Sequence, residues 1–461
     1  MSRERSHRGS ALGLGLSAVL SWGAGACDVA HDGDGVDDAE FRGQNDAPEY
    51  NVGSYNVHLR PSTLFEPTAP GADPDAGRVV FGLAPDLITS DPTGALFQGE
   101  SAVAAGIIAS NGRTCFTCHR GTPHDFGLPA PPLSDTIPLT DPLFTGLHAD
   151  AQGDVDGLHN LDQLGLFKIR PNRFNVARDP EDPFVQVFGW RKSPAVVNIG
   201  FAHGLLTDMR GRTLFETARG AVFSHTQEAN VRFDDLYTQQ LGDDLAAFLF
   251  AQVTDPALLP LRDPQSAEYG ALVDDPFATV PVGTKAEKKG KKLFEKLCMA
   301  CHGTPNVFND AAYLEPMGHG ERPSSFPTWA PAIGRTYDIG VSEANAHGLR
   351  FTRQLPDGTF QPIVLPLAAE DGTLVQYEVQ LDVGLAATTG RYEDVGRFKV
   401  PQLRNVSSHA PYFHDNSIDT LEGVVDYFCS DAYNDSKDGS RYPIHMNGDQ
   451  RADLVAFLEL L

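Results

Sequence analysis

Two pentapeptides of the form Cys-x-x-Cys-His constrain this chain more than any other feature. They read CFTCH at Cys115–His119 and CMACH at Cys298–His302, 183 residues apart in a chain of 461. Two thiols one helical turn apart can add to the two vinyl groups of one porphyrin, and the His that follows then lies under the iron. The spacing predicts two covalently bound c-type haems, one on Cys115 and Cys118, the other on Cys298 and Cys301, with His119 and His302 as proximal iron ligands. Two disulfides or a four-Cys zinc site would use the same thiols, but neither explains a His after both pairs. Cys27 and Cys429 stand outside the motifs.

The first residues have the order of a secretory signal peptide. Arg3, Arg5 and Arg8 precede a short apolar stretch, Ala11 to Trp22, and Gly23 to Ala26 are all small. Cleavage is expected after residue 26, as in a bacterial lipoprotein signal, leaving Cys27 to carry a lipid. The expected location is the periplasm, and the lipid is the only membrane contact expected. Residues 27–74 read as an acidic tether and lead-in. Its DGDGVDD run has Val36 and Asp37 where an EF-hand loop needs an oxygen ligand and Gly, so it reads as a spacer.

Hydrophobic residues make up 41% of the chain and charged residues 21%, a globular composition. No apolar run reaches the roughly 18–20 residues of a spanning helix, which excludes a multi-pass membrane protein. With 36 basic against 61 acidic residues the net charge is −25, which argues against nucleic acid and favours a basic protein partner.

The motif separation suggests one haem per domain, over residues 75–255 and 284–461, joined by a Pro- and Asp-rich linker at 256–283. Helices are expected over 97–111 and 284–299, leading into the motifs, over 231–252, and over 448–461 at the C-terminus. Residues 349–382 alternate around two Asp-Gly turns and read as a small β-meander inserted in the second domain. Residues 120–190 are loop-rich. The fold class expected is mainly α, two cytochrome-c-like helical domains with that insertion.

The run GRFKVPQLRNVSSHAPYFHDNSIDTLEGVVDYF, residues 396–428, closely resembles bacterial di-haem cytochrome c peroxidases and their relatives, including the di-haem enzyme that matures methylamine dehydrogenase. AEKKGKKLFEKLCMACH and ADLVAFLELL share that likeness, and residues 191–223 match the family pattern loosely. The resemblance spans about residues 75–461. It implies two haems facing each other across a domain interface. The N-terminal haem would be the peroxidatic one, and the C-terminal haem would receive electrons from a small cytochrome or cupredoxin. His414 matches the family His beside the second haem, or is a structural hydrogen-bonding His. Arg404 matches an Arg near a propionate, or caps the core.

Several positions depart from the family pattern. The distal ligand of the second haem, Met or Tyr in relatives, aligns with Phe428, which cannot bind iron; Tyr427, Cys429, water, Met317 and Met446 are the possible substitutes. The Trp between the haems aligns with Thr207. The distal acid/base Glu aligns with Gln227, with Glu228 adjacent. An Asn that holds an interdomain calcium aligns with Lys192, which speaks against calcium, although the Pro411 carbonyl remains available. For the first haem's distal side, His124, His148, His159 and His225 are candidates. The resemblance implies peroxide reduction with electrons from a small cytochrome. The alternatives are an electron-transfer cytochrome without peroxidase activity, or a di-haem oxidase or oxygenase acting on an organic or protein substrate.

Overall fold

The computed structural model describes residues 71–82, 108–110, 113–121, 126–144, 156–169, 187–202, 205–210, 214–224, 226–228, 238–263, 265–310, 336–355 and 357–461. The expected signal peptide, Cys27 and the expected tether up to residue 70 lie outside the described residues, whereas Asp73 and Pro74, at the end of that lead-in, already belong to the first helix. The helices that build the two halves are α1 (Pro74–Phe81), α2 (Cys115–Cys118, a single turn), α3 (Gly157–Leu164), α4 (Leu214–Ser224), α5 (Gln239–Ala251), α6 (Lys285–Leu297), α7 (Leu421–Phe428) and α8 (Gly448–Leu458). Among the described residues strands occur only as two-stranded ribbons, so the architecture is mainly helical. No described helix is long and apolar enough to cross a membrane.

Each half closes around one helix pair that crosses at a glycine. In the first, α1 packs on α5, and a methyl on Gly77 would fall 1.9 Å from the Asp244 carbonyl oxygen. In the second, α6 packs on α8, and a methyl on Gly290 would fall 2.0 Å from the Asp453 carbonyl oxygen. Backbones this close leave no room for a side chain. The aspartate at each crossing also ties the pair together. Asp244 accepts from the Asp73 N–H at 2.7 Å, and Asp453 pairs with Lys289 at 3.2 Å. The sequence places caps at the starts of these helices: Asp73 before Pro74, Thr238 before Gln239, and capping boxes at Thr284/Glu287 and Asn447/Gln450. Below the crossings lie separate apolar cores, Val80, Phe81, Phe126 and Phe248 in one half, Phe277, Phe294, Phe308 and Phe457 in the other.

Three expectations change. Of the helix expected over 97–111, the described part, Ile108–Ser110, is instead a strand, β1, paired antiparallel with β4 (Thr226–Glu228). The β-branched Ile108 and a partner strand outweigh the apolar helical pattern there. The Pro- and Asp-rich segment 256–283 is packed structure. A 3-10 helix, Pro256–Arg262, and a short helix, Tyr269–Asp274, bury Leu258, Leu261 and Leu272 against Phe201 and Val307. The meander is two separate hairpins, β6 (Thr352–Gln354) with β7 (Phe360–Pro362) and β8 (Val364–Ala368) with β9 (Leu374–Glu378). Each turn is an Asp-Gly-Thr triplet, with Gly358 and Gly372 at φ +84° and +82° and the Thr hydroxyl bonded to the Asp carboxylate at 2.6 Å.

The second of these hairpins joins the two halves. Leu365 and Leu367 on β8, with Ile363, pack against Leu166 of β2 (Leu166–Ile169) and Trp190 of β3 (Gly189–Lys192) in one buried cluster. The loop-rich part of the first half and the insertion of the second thus form a core that neither holds alone. The remaining ribbon, β5 (Thr336–Tyr337) with β10 (Phe398–Lys399), lies in the second half.

Candidate functional site

The local chain path sets each Cys-x-x-Cys-His motif. In the first, Thr114 and Thr117 cap the α2 turn and the His119 N–H donates to the Cys115 carbonyl at 2.9 Å. His119 Nδ1 lies 3.3 Å from the Ser193 hydroxyl, and the backbones of Phe126 and Pro194 also hydrogen-bond the ring. Burial pulls the His119 pKa down to about 4 despite those bonds, so the ring is neutral. In the second motif α6 runs into Cys298, and the His302 N–H donates to the Cys298 carbonyl at 2.8 Å. His302 Nδ1 lies 2.9 Å from the Phe308 carbonyl oxygen. A carbonyl only accepts, so Nδ1 carries the hydrogen and Nε2 keeps its lone pair, the state an iron ligand requires.

The thiols line two cavities. Cys115, Cys118 and His119 open on one of about 200 Å³. Cys298, Cys301 and His302 open on one of about 920 Å³. None of the described cysteines is in a disulfide, and the two pairs face different cavities, so they form neither two disulfides nor one four-Cys site. Burial, with Cys301 and Cys429 nearby, pushes the Cys298 thiol up to about 12. The second cavity is at the upper end of the roughly 300–1,000 Å³ of small-molecule sites and accommodates a large planar group. The first has the right donors but less room, so a porphyrin there requires its aliphatic walls, Val196, Leu205 and Leu249 among them, to give way.

The cavities share a wall. Lys192, Ser193, Pro194, Thr207, Lys399 and Gln402 line both. The Lys399 N–H donates to the Thr207 carbonyl at 2.8 Å, a direct backbone link across this wall. Thr207 therefore lies in the wall that the two cavities share. Burial lowers the Lys399 ammonium to about 8, against the opposing pull of Asp208.

His414 lines the second cavity, stacked on Phe398 at 3.8 Å between ring centroids, with Nε2 3.4 Å from the Ser342 hydroxyl. Burial lowers its pKa, against the pull of Asp415 and Asp382. Arg404 is buried beside Leu403, a lining residue of the same cavity. One of its nitrogens reaches Asp255 at 3.4 Å, while Nε and Nη1 have no acceptor in the structure. Two open donors on a buried guanidinium suit a carboxylate such as a propionate. Phe428 lines the second cavity, as does Met446, whereas the Tyr427 hydroxyl is spent on the Ile339 carbonyl at 2.8 Å. The structure thus brings forward Met446 and gives Tyr427 a structural task.

Gln227 and Glu228 lie on β4, where their backbones pair with Ala109 and Ile108. His159 is exposed on α3. His124, His148, His225 and Met317 lie outside the described residues.

The sequence reading did not single out a buried ion network between the halves. Arg191 grips Asp382 through Nε and Nη2 at 2.7 and 2.8 Å, and Asp208 through Nη1 at 2.7 Å. Arg210 adds a bond to Asp208 at 2.8 Å. Gly189 makes room for it, since a methyl there would fall 2.0 Å from the Asp382 carboxylate. Beside it, the Pro411 carbonyl, which the resemblance left available for calcium, already has a donor. The Lys192 ammonium already donates to the carbonyls of Pro411 and His409.

Fold and site together define a chain with two Cys-x-x-Cys-His motifs that open on cavities sharing a wall. It is similar to bacterial di-haem cytochrome c peroxidases and MauG-like proteins. A protein named cytochrome-c peroxidase IdrP1 from Pseudomonas sp. (strain SCT) is 34% identical over 82 residues, 18% of this chain and 22% of the relative. Methylamine utilization protein MauG from Methylorubrum extorquens is 38% identical over 65 residues, 14% of this chain and 18% of the relative. Hydrazine synthase subunit gamma from Kuenenia stuttgartiensis is 27% identical over 186 residues, 39% of this chain and 41% of the relative. The match to the peroxidase spans about a fifth of that protein's length. The solved structure of the diheme peroxidase BthA from Burkholderia thailandensis is 18% identical with a TM-score of 0.35, covering 80% of this chain and 88% of that one. No family model matches.

Proposed function

We propose that this chain is an exported di-haem c-type cytochrome that reduces hydrogen peroxide with electrons from a small cytochrome or cupredoxin. The observation that carries the reading is the pair of Cys-x-x-Cys-His motifs lining two cavities with one wall between them. Bound haem supplies one-electron chemistry and an iron site for peroxide. Cys115 and Cys118 would hold one group and Cys298 and Cys301 the other, in two cytochrome-c-like domains. His119 and His302 would be the proximal ligands, the tautomer of His302 set by the Phe308 carbonyl and the His119 ring held beside the Ser193 hydroxyl. Lys399 and Thr207 carry the short covalent and hydrogen-bonded route through the wall. Arg404 offers its open donors to a propionate, and His414 is held against the second cavity by Phe398 and Ser342. A basic donor suits the net charge of −25.

A second reading is an oxidase or oxygenase acting on an organic substrate at the second centre. The roughly 920 Å³ cavity and the ligand-free ring of Phe428 on its wall favour it.

Stopped-flow mixing of the reduced protein with peroxide separates the two. Oxidation of an added small cytochrome by peroxide supports the peroxidase reading, and no such oxidation ends it. In Phe428→Met the second iron is expected to become low-spin, with a potential raised on the order of 0.1 V. A Met-to-iron charge-transfer band already present in the wild type would overturn the assignment of Phe428 and point to Met446.

Periplasmic export with a lipid on Cys27 belongs to the same reading. Fractionation of the native host is expected to place the protein with membranes and Cys27→Ser in the soluble fraction; a wild type already soluble removes the anchor.

A further inference from the structure

Lys192 ends β3 and faces the opposite half. Its backbone N–H donates to the His414 carbonyl at 2.7 Å. Its ammonium donates to the His409 carbonyl at 3.0 Å and to the Pro411 carbonyl. All three acceptors sit on the loop 409–414, which lines the second cavity. We propose that Lys192 is an internal cation: its ammonium fills a carbonyl cluster that would otherwise need a metal ion, and so locks loop 409–414 to the first half without calcium.

The chemistry of the donor set supports this. Calcium takes six to eight oxygens at about 2.3–2.6 Å, several of them carboxylate. Here two backbone carbonyls converge on a covalently tethered positive charge, and a second cation at the same point would be repelled. Among the described residues no group of three or more His, Cys, Asp or Glu side chains is placed to hold a metal. Burial lowers the Lys192 pKa to about 8, which leaves the amine protonated at neutral pH and able to donate to both carbonyls.

The loop needs such an anchor. Phe413 is held at φ +67°, a conformation uncommon for a bulky side chain, and Asn416 at φ +55°. Between Pro411 and Phe413 the bonds outside Lys192 are both made by Tyr412, its N–H to the Ile418 carbonyl at 2.7 Å and its hydroxyl to the Val406 carbonyl at 3.1 Å. The Lys192 bonds fix the other side and so set where His414 stacks on Phe398. Lys192 is a positioning residue for the second centre.

The test uses the holoprotein. Dialysis against a calcium chelator is expected to change neither the melting temperature nor the absorption and paramagnetic resonance spectra of the second haem, and added calcium is expected to change neither. Lys192→Met, of similar length without the charge, removes the ammonium's bonds to both carbonyls. Its melting temperature is expected to fall by several degrees and the spin-state balance of the second haem to shift, with the first haem unaltered. Loss of wild-type stability or a spectral change on chelation overturns the proposal, as does a Lys192→Met protein indistinguishable from wild type. If that variant does not fold, the chelation arm on the wild type decides alone. The spectral readout rests on the haem assignment above, while melting and chelation do not. Haem content, measured by mass on the same sample, separates failure of the one from failure of the other.

Discussion

Mature protein from a host able to attach c-type haem should carry the mass of two haems, retained through acid–acetone extraction. The double change Cys298→Ser and Cys301→Ser should leave one, with roughly half of the Soret absorbance, since each haem contributes independently. The argument is chemical. A thioether needs a thiol beside each vinyl group, and a hydroxyl does not replace it. The two pairs line different cavities, so loss of one pair does not remove the other's donors. Without its haem the second cavity, about 920 Å³ and walled by Phe294, Leu421 and Leu458, would be a large hole in the C-terminal core. Cavities of that kind destabilise in proportion to their volume. The variant should therefore also lose cooperative unfolding of the second half, read by native-state hydrogen exchange. A wild type carrying one haem, or zinc, would sink the assignment of both centres.

The site was legible where chemistry fixes spacing. Cys115, Cys118, His119, Cys298, Cys301 and His302 announce themselves because covalent attachment demands adjacent residues in one order. The capped helices α6 and α8 were legible too, because Thr284/Glu287 and the apolar stripe of Leu293, Phe294 and Leu297 are local signals. The strand at Ile108–Ser110 was not, since its pairing partner lies more than a hundred residues away at Thr226–Glu228. The core between Trp190 and Leu365 was hidden for the same reason: each segment alone reads as decoration, and only their contact makes a cluster. In the sequence Lys192 reads only as a departure from the family pattern, and Arg191 carries no signal of its own. Their partners, the carbonyls of His409 and Pro411 and the carboxylates of Asp208 and Asp382, carry no sequence mark of the pairing. Long-range polar contacts of this kind arise from the fold, whereas the Cys-x-x-Cys-His order precedes it.

The buried network around Arg191 should dominate the stability of the joined halves. Arg191, Asp208, Asp382 and Arg210 balance two positive and two negative charges, with side chains no more than 3% exposed. Asp208→Asn removes one negative charge and leaves Arg191 and Arg210 facing each other across an amide. Breaking a buried pair from one side typically costs about 3–5 kcal/mol, because the partner's desolvation is no longer offset. That is the loss expected in denaturant unfolding at neutral pH. Arg191→Lys should cost a similar amount, since an ammonium cannot reproduce the bidentate grip on Asp382. The pH dependence has a definite sign. Burial pushes the Asp208 pKa up, but Arg210 and Arg191 outweigh it and bring it to about 2, below the ordinary value of 3.8. A depressed carboxylate contributes its stability above its unfolded pKa and loses it as pH falls through its folded pKa. The gap between wild type and Asp208→Asn should therefore be flat from neutral pH to about 5 and narrow as pH falls from about 4 toward 2. A gap that is small at pH 7, or that widens on acidification, would show that the network does not hold the halves together.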